Sequence, residues 1–132
     1  MEFCEIKVSN ALIKVEDLRF SQTEGAVVDF FGVVRMHEED RMIEGIEYEA
    51  FQQMAERQLL LIAEEAQKRH DLRLVRIQHR IGFVPAGEAS LFVRVSARHR
   101  RAAYEGSIQI VERLKIAVPI WKRPVYSHAP TA

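Results

Sequence analysis

The chain is poor in several things that would narrow its function at once. It has one cysteine, Cys4, in 132 residues, which excludes an internal disulfide. That cysteine reads as a small hydrophobe on a strand. No apolar run approaches the roughly 20 residues that a membrane helix needs. The start, MEFCEIKV, has no basic segment followed by an apolar one, so no secretion signal is expected and the cytoplasm is the expected compartment. Nineteen basic and nineteen acidic residues cancel, which argues against whole-molecule attraction to nucleic acid. There is no internal repeat, linker or low-complexity segment. There is also no Ser/His/Asp triad, phosphate-binding glycine loop, dinucleotide glycine motif or Cys/His metal pattern. His37 stands beside Glu38, Glu39 and Asp40, but adjacent ligands lack the spacing of a metal site, so no metal is expected.

What is present is one domain's worth of chain, with 48% hydrophobic and 29% charged residues, the composition of a soluble globular protein. The charge is unevenly spread. Residues 16–71 hold fourteen of the nineteen acids against six Lys/Arg, whereas residues 94–123 hold eight Lys/Arg against only Glu105 and Glu112. A basic segment on a neutral protein suggests a local anion site.

Alternation predicts a strand over Phe3–Val8. Val15–Phe20 reads as a short helix. Ala26–Arg35 is too β-branched for a surface helix and reads as a buried strand, with Gly32 marking a bulge or a close backbone approach. Met36–Met42 reads as a charged, mobile loop and Ile43–Phe51 as an alternating strand. Gln52–His70 has helical period, with Met54 and Leu61 on a stripe among Leu59, Leu60 and Ile62. Leu72–Gly82 is a strand expected to turn Leu74, Ile77 and Ile81 inward, His79 being an ordinary strand residue. Phe83–Glu88 reads as a tight loop. Ala89–Arg98 should point Leu91, Val93 and Val95 inward and Arg94, Ser96 and Arg98 outward. The order predicts an α+β or mixed α/β fold with at least four strands and two main helices.

The most informative stretch is His99–Arg123. Tyr104, Ile108, Val111 and Lys115 fall within about 60° on a helix, a single face. Lys115 then has two readings. Its stem lies along apolar surface while the ammonium snorkels to water, or it is a half-dry amine on a cleft wall, with a lowered pKa and a proton for chemistry. His99-Arg100-Arg101 open the helix, where cationic side chains and backbone N–H groups together suit an anion. Pro119 ends the helix and forces Val118 to extended geometry. Ile120 and Trp121 then bury apolar surface beside Lys122 and Arg123.

GAVVDFFGVVR, IEYEAFQQMA, HRIGFVPAGEASLFVRVSARHRRAAYEG and LKIAVPIWKR, taken together over roughly residues 24–123, resemble the MoaE family, the large catalytic subunits of molybdopterin synthase. The resemblance implies an α/β hammerhead with an added antiparallel β subdomain. It implies one such domain over residues 1–126, and residues 127–132 read as a short frayed tail. It also implies a homodimer at the centre of a heterotetramer, each end holding a small ubiquitin-like carrier subunit of the MoaD type with a Gly-Gly C-terminus. The carrier's thiocarboxylate would supply sulfur to cyclic pyranopterin monophosphate, forming the dithiolene of molybdopterin, with no permanently bound cofactor. Lys115 and Lys122 match the family's catalytic pair. Val33, Val34, Arg35, His99, Arg100, Lys122 and Arg123 match residues lining its anion and pterin pocket. Val33 stands where a basic residue is usual, which would leave a backbone contact, and Pro124 where an acid is usual. The other readings are a non-catalytic module for a ubiquitin-like Gly-Gly tail and an RNA- or anion-binding domain using residues 94–123.

Overall fold

Two β-rich segments flank a long helix, and the fold follows from how their strands find partners. The structure is a computed structural model that describes residues 3–15 and 19–127. In chain order the elements are β1 (Phe3–Ser9), β2 (Ala26–Val33), β3 (His37–Glu38), β4 (Arg41–Ala50), α1 (Gln52–His70), β5 (Leu74–Arg80), β6 (Gly82–Pro85), β7 (Ala89–Ala97), α2 (Arg100–Ala117) and β8 (Ile120–Tyr126). The expected α+β class, with a second antiparallel sheet, is what forms. The expected helix at Val15–Phe20 falls partly on residues 16–18, outside the described residues; Val15, Arg19 and Phe20 are in no regular element.

The first sheet runs β1-β5-β7-β2. β1 is parallel to β5, and the other neighbours are antiparallel. Both helices pack on one face of this sheet and against each other. Val75, Ile77 and His79 alternate inward on β5, a strict period of two that replaces the expected Leu74-Ile77-Ile81 set. On α1 the buried stripe is Ala55, Leu59, Ile62, Ala63 and Ala66, while Met54 and Leu61 face outward. On α2 it is Ala103, Gly106, Ser107, Ile110 and Leu114. This is about 100° around the helix from the Tyr104-Ile108-Val111-Lys115 stripe. Tyr104 and Ile108 are 58% and 56% exposed, so that stripe is not core. The small residues face inward because α2 must approach closely: a Cβ on Gly106 would lie 2.9 Å from Leu72 Cδ1.

β7 is buried on both faces, contrary to the outward assignment of Arg94 and Ser96. The helix-free face is closed by long side chains from β2 and the turn before it. Phe31 lies against Phe92 at 5.1 Å, and Ser96 Oγ donates to Glu24 Oε1 at 2.9 Å. Arg94, 4% exposed, donates from Nε and Nη2 to the two oxygens of Asp29 at 2.7 and 2.8 Å. That bidentate geometry is what makes a buried guanidinium tolerable.

The second sheet is built on β4, which pairs antiparallel with β3, β6 and β8. Two segments read as loops belong to it. Residues 36–42 form a hairpin, with Glu38 opposite Arg41 and both turn residues at positive φ (Glu39 48°, Asp40 65°). This is the backbone sense of a tight hairpin turn, made without its usual Asn-Gly. Phe83, Val84 and Pro85 are strand, since β6 pairs Gly45 with Pro85 and Tyr48 with Gly82. Trp121 is 53% exposed and meets Phe51 edge-on at 5.3 Å, so it is not core either. Ser127 N–H donates to Met42 C=O at 3.0 Å, which ties down the first residue of the expected tail; residues 128–132 lie outside the described residues.

Asp29→Ala removes the two carboxylate oxygens that the buried Arg94 binds and is expected to cost about 2–3 kcal/mol, part of the charge being recovered by water and by its remaining contacts. Urea unfolding measures it, and a loss below about 0.5 kcal/mol would show the pair to be incidental.

Candidate functional site

A cleft of about 540 Å³ opens between the two sheets at the C-terminal end of α2. The end of β2 and, some eighty residues on, the end of α2 and the start of β8 bring cations to it.

The first is the end of β2. Its register with β7 shifts between Gly32 and Val33, and a Cβ on Gly32 would lie 3.2 Å from Leu91 Cβ. The expected bulge and the expected close approach are therefore the same feature. Beyond it Val34 is buried and clamped: its N–H donates to Glu88 C=O at 3.0 Å and its C=O accepts from Gly87 N–H at 2.7 Å. Val33, Val34 and Arg35 all line the cleft.

The second is the last turn of α2. Leu114 anchors the helix in the core, and Lys115 beside it lines the cleft. The helix carbonyl ends favour a cation there. Val118 is extended (φ −95°, ψ 133°), the stop expected from Pro119.

The third is β8. Its pairing with β4 sets Ile120 opposite Ala50, Lys122 opposite Tyr48 and Pro124 opposite Ile46. Ile120 and Lys122 therefore share the cleft-facing side of the strand. Trp121 and Arg123, opposite Glu49 and Glu47, face the other way.

The single chain thus gathers Val33, Val34, Arg35, Lys115 and Lys122, and does not bring Arg123, His99 or Arg100 to them. Strand alternation removes Arg123. His99 and Arg100 sit at the opposite end of α2, about 22 Å from Lys115 at 1.5 Å per residue.

Among the described residues, Glu38 is the one acid lining the cleft. Among the described residues, Arg35, Lys115 and Lys122 make no salt bridge. Both lysines are exposed on the cleft wall, so the half-dry amine expected at Lys115 is not a property of the isolated chain. Whatever enters the cleft must exclude the water.

The floor is different, and sequence reasoning missed it. Tyr48, His79 and Ser90 line it. Tyr48 Oη donates to Ser90 Oγ at 3.2 Å, and Ser90 Oγ to Gly32 C=O at 3.4 Å. His79 is 7% exposed and meets Tyr48 edge-on at 5.3 Å. Its Nδ1 lies 2.9 Å from Arg80 C=O. Burial pushes its pKa below the ordinary value, against a smaller upward pull from that carbonyl. The signal was present: His79 continues the Val75-Ile77 alternation and so had to point inward.

The MoaE protein family profile matches residues 4–117. The chain belongs to the MoaE family. Among its relatives, the molybdopterin synthase catalytic subunit of rice (Oryza sativa subsp. indica) is 45% identical over 102 residues, covering 77% of this chain and 53% of the rice protein. The subunit of Bacillus subtilis is 36% identical over 121 residues, covering 92% and 74%. The chain thus spans about half the length of the rice relative and more of the bacterial one. Molybdopterin synthase from Staphylococcus aureus has a closely similar structure, with a TM-score of 0.84 at 33% identity, covering 95% of this chain and 92% of that one. The Burkholderia ambifaria MoaE protein superposes with a TM-score of 0.78 at 25% identity, covering 98% and 93%. The structural likeness to S. aureus spans nearly the whole chain, whereas the MoaE profile match ends at Ala117, before Lys122.

His79 also fixes a pH dependence of stability. A histidine whose folded pKa lies below its unfolded value binds its proton more readily when unfolded. Its contribution is therefore complete above about pH 6.5 and is lost as pH falls from there toward the lowered folded value. The melting temperature of the wild type should fall over that window by more than that of His79→Gln. Parallel curves would rule the linkage out.

Proposed function

We propose that this MoaE chain is the catalytic subunit of a molybdopterin synthase, a sulfurtransferase. It would move sulfur from the C-terminal thiocarboxylate of a small ubiquitin-like carrier to cyclic pyranopterin monophosphate. The observation that carries the proposal is the convergence of Arg35, Lys115 and Lys122 on one cleft from three separate segments. Transfer of sulfur with opening of a cyclic phosphate develops negative charge on the phosphate oxygens. Fixed cations stabilise that charge strongly once a ligand has displaced the water. An extended carrier tail fits an open cleft whose wall is already strand. Lys115, on the last helical turn, is placed to pair with the carrier's terminal carboxylate once sulfur has left, or to supply a proton. Lys122 and Arg35 hold the phosphate.

His99 and Arg100 join this cleft only if another copy of the chain presents the N-terminal end of its own α2. The reading therefore includes a homodimer within a heterotetramer, and a cytoplasmic setting where carrier and substrate are made.

Lys115→Ala should lower thiocarboxylate-dependent dithiolene formation by at least about 10²-fold, the scale of losing a fixed charge at a transition state. The melting temperature should change little, because the side chain is exposed. Turnover within a few-fold of wild type would refute the role. Carrier binding without turnover in the wild type as well would favour the non-catalytic module instead.

A further inference from the structure

Apart from Glu38, the charged side chains at the rim of the cleft are donors, and its floor can only accept protons. Arg35, Lys115 and Lys122 carry donors and no acceptor. On the floor, the hydroxyl protons of Tyr48 and Ser90 are both committed, to Ser90 Oγ and to Gly32 C=O. His79 is settled by the same accounting. Arg80 C=O can only accept, so Nδ1 must carry the ring proton, and Nε2 of the neutral ring is left with a bare lone pair. Among the described residues no group bonds Nε2, and it is not among their buried atoms sealed without a partner. It is therefore accessible, and His79 is one of the residues that line the cleft. Burial keeps the ring uncharged at neutral pH. An anionic group gains nothing from such a floor, since a carboxylate or phosphate oxygen would face another lone pair.

The geometry points to His79 Nε2 as the acceptor that binds an N–H of the pterin ring, so that the cleft reads its substrate at two ends, phosphate by the cationic rim and heterocycle by the neutral floor. This deepens the sulfurtransferase reading and rests on it for the choice of ligand. A pterin carries an exocyclic amine and ring N–H groups along one planar edge, the donors that a lone pair beside an edge-on tyrosine would meet. His79 is then a substrate-binding residue, held in register by the Arg80 carbonyl.

Two substitutions separate this from a purely structural role. In His79→Asn the side-chain amide N–H takes the place of Nδ1–H on Arg80 C=O but stops short of Nε2. In His79→Gln the amide oxygen reaches the Nε2 position. Binding of two probes to the full chain is measured by titration calorimetry: phosphate-free pterin and inorganic pyrophosphate. The Asn variant should bind pterin about five- to tenfold more weakly, the size of one hydrogen bond, and the Gln variant within about twofold of wild type. Pyrophosphate should bind all three proteins equally. The proposal is overturned if the wild type does not bind pterin, if the Asn variant binds it normally, if Gln does not restore it, or if pyrophosphate affinity falls in parallel. A wild type that binds pterin through His79 yet forms no dithiolene product with thiocarboxylated carrier would sink the sulfurtransferase reading and leave this subsite standing.

Discussion

The pairing of β8 with β4 is the constraint on which the site depends. After α2 ends, the chain could leave in any direction, and Lys122 would be one more surface lysine. The antiparallel ladder from Ala50–Ile120 to Ile43–Tyr126 instead returns the chain alongside a strand whose inner face already carries Ile46 and Tyr48. Because side chains alternate, that one register sends Lys122 toward Lys115 and turns Arg123 toward Glu47. A slip of one residue would exchange them. The ladder even accommodates Pro124, which occupies a strand position opposite Ile46.

The cleft divides its labour by polarity. Long, flexible cations stand on the rim, where water keeps them charged until a ligand arrives. Short, rigid groups form the floor, each held by a bond to backbone or to a neighbouring hydroxyl. Flexible donors suit a phosphate or a peptide terminus, whose charge is diffuse. A rigid acceptor suits a planar ring with donors at fixed positions. The cleft lies at the junction of the two sheets, where β2 leaves one and β4 builds the other, and the Gly32 bulge is what lets the backbone turn between them.

The sequence carried more of the architecture than of the site. The boundaries of α1 were legible because Gln52–His70 keeps one period throughout, and the end of α2 because Pro119 cannot continue a helix. The faces of the helices were not. Large apolar side chains on α2, Tyr104 and Ile108, suggested a core stripe, yet packing selected Ala103, Gly106 and Ser107, because close approach to Leu72 rewards small volume over hydrophobicity. Phe83–Glu88 looked like a loop because it contains Pro85 and Gly87, but β4 supplied a partner for Phe83–Pro85. Arg94 looked like a surface residue because a lone strand cannot show that Asp29 waits on its neighbour.

By itself, then, the sequence determined the order of the long strands and the two main helices, the helix ends, the bulge at Gly32 and the family, since all of these rest on local stereochemistry or on motifs read directly. It also singled out Lys115, Lys122 and Arg35. Tertiary structure alone decided that these three share a cleft, that Arg123 is turned away, that His99 and Arg100 lie a helix length distant, and that His79 forms the floor. Those facts depend on strand register and on contacts between residues tens of positions apart, for which no local pattern in the chain can stand.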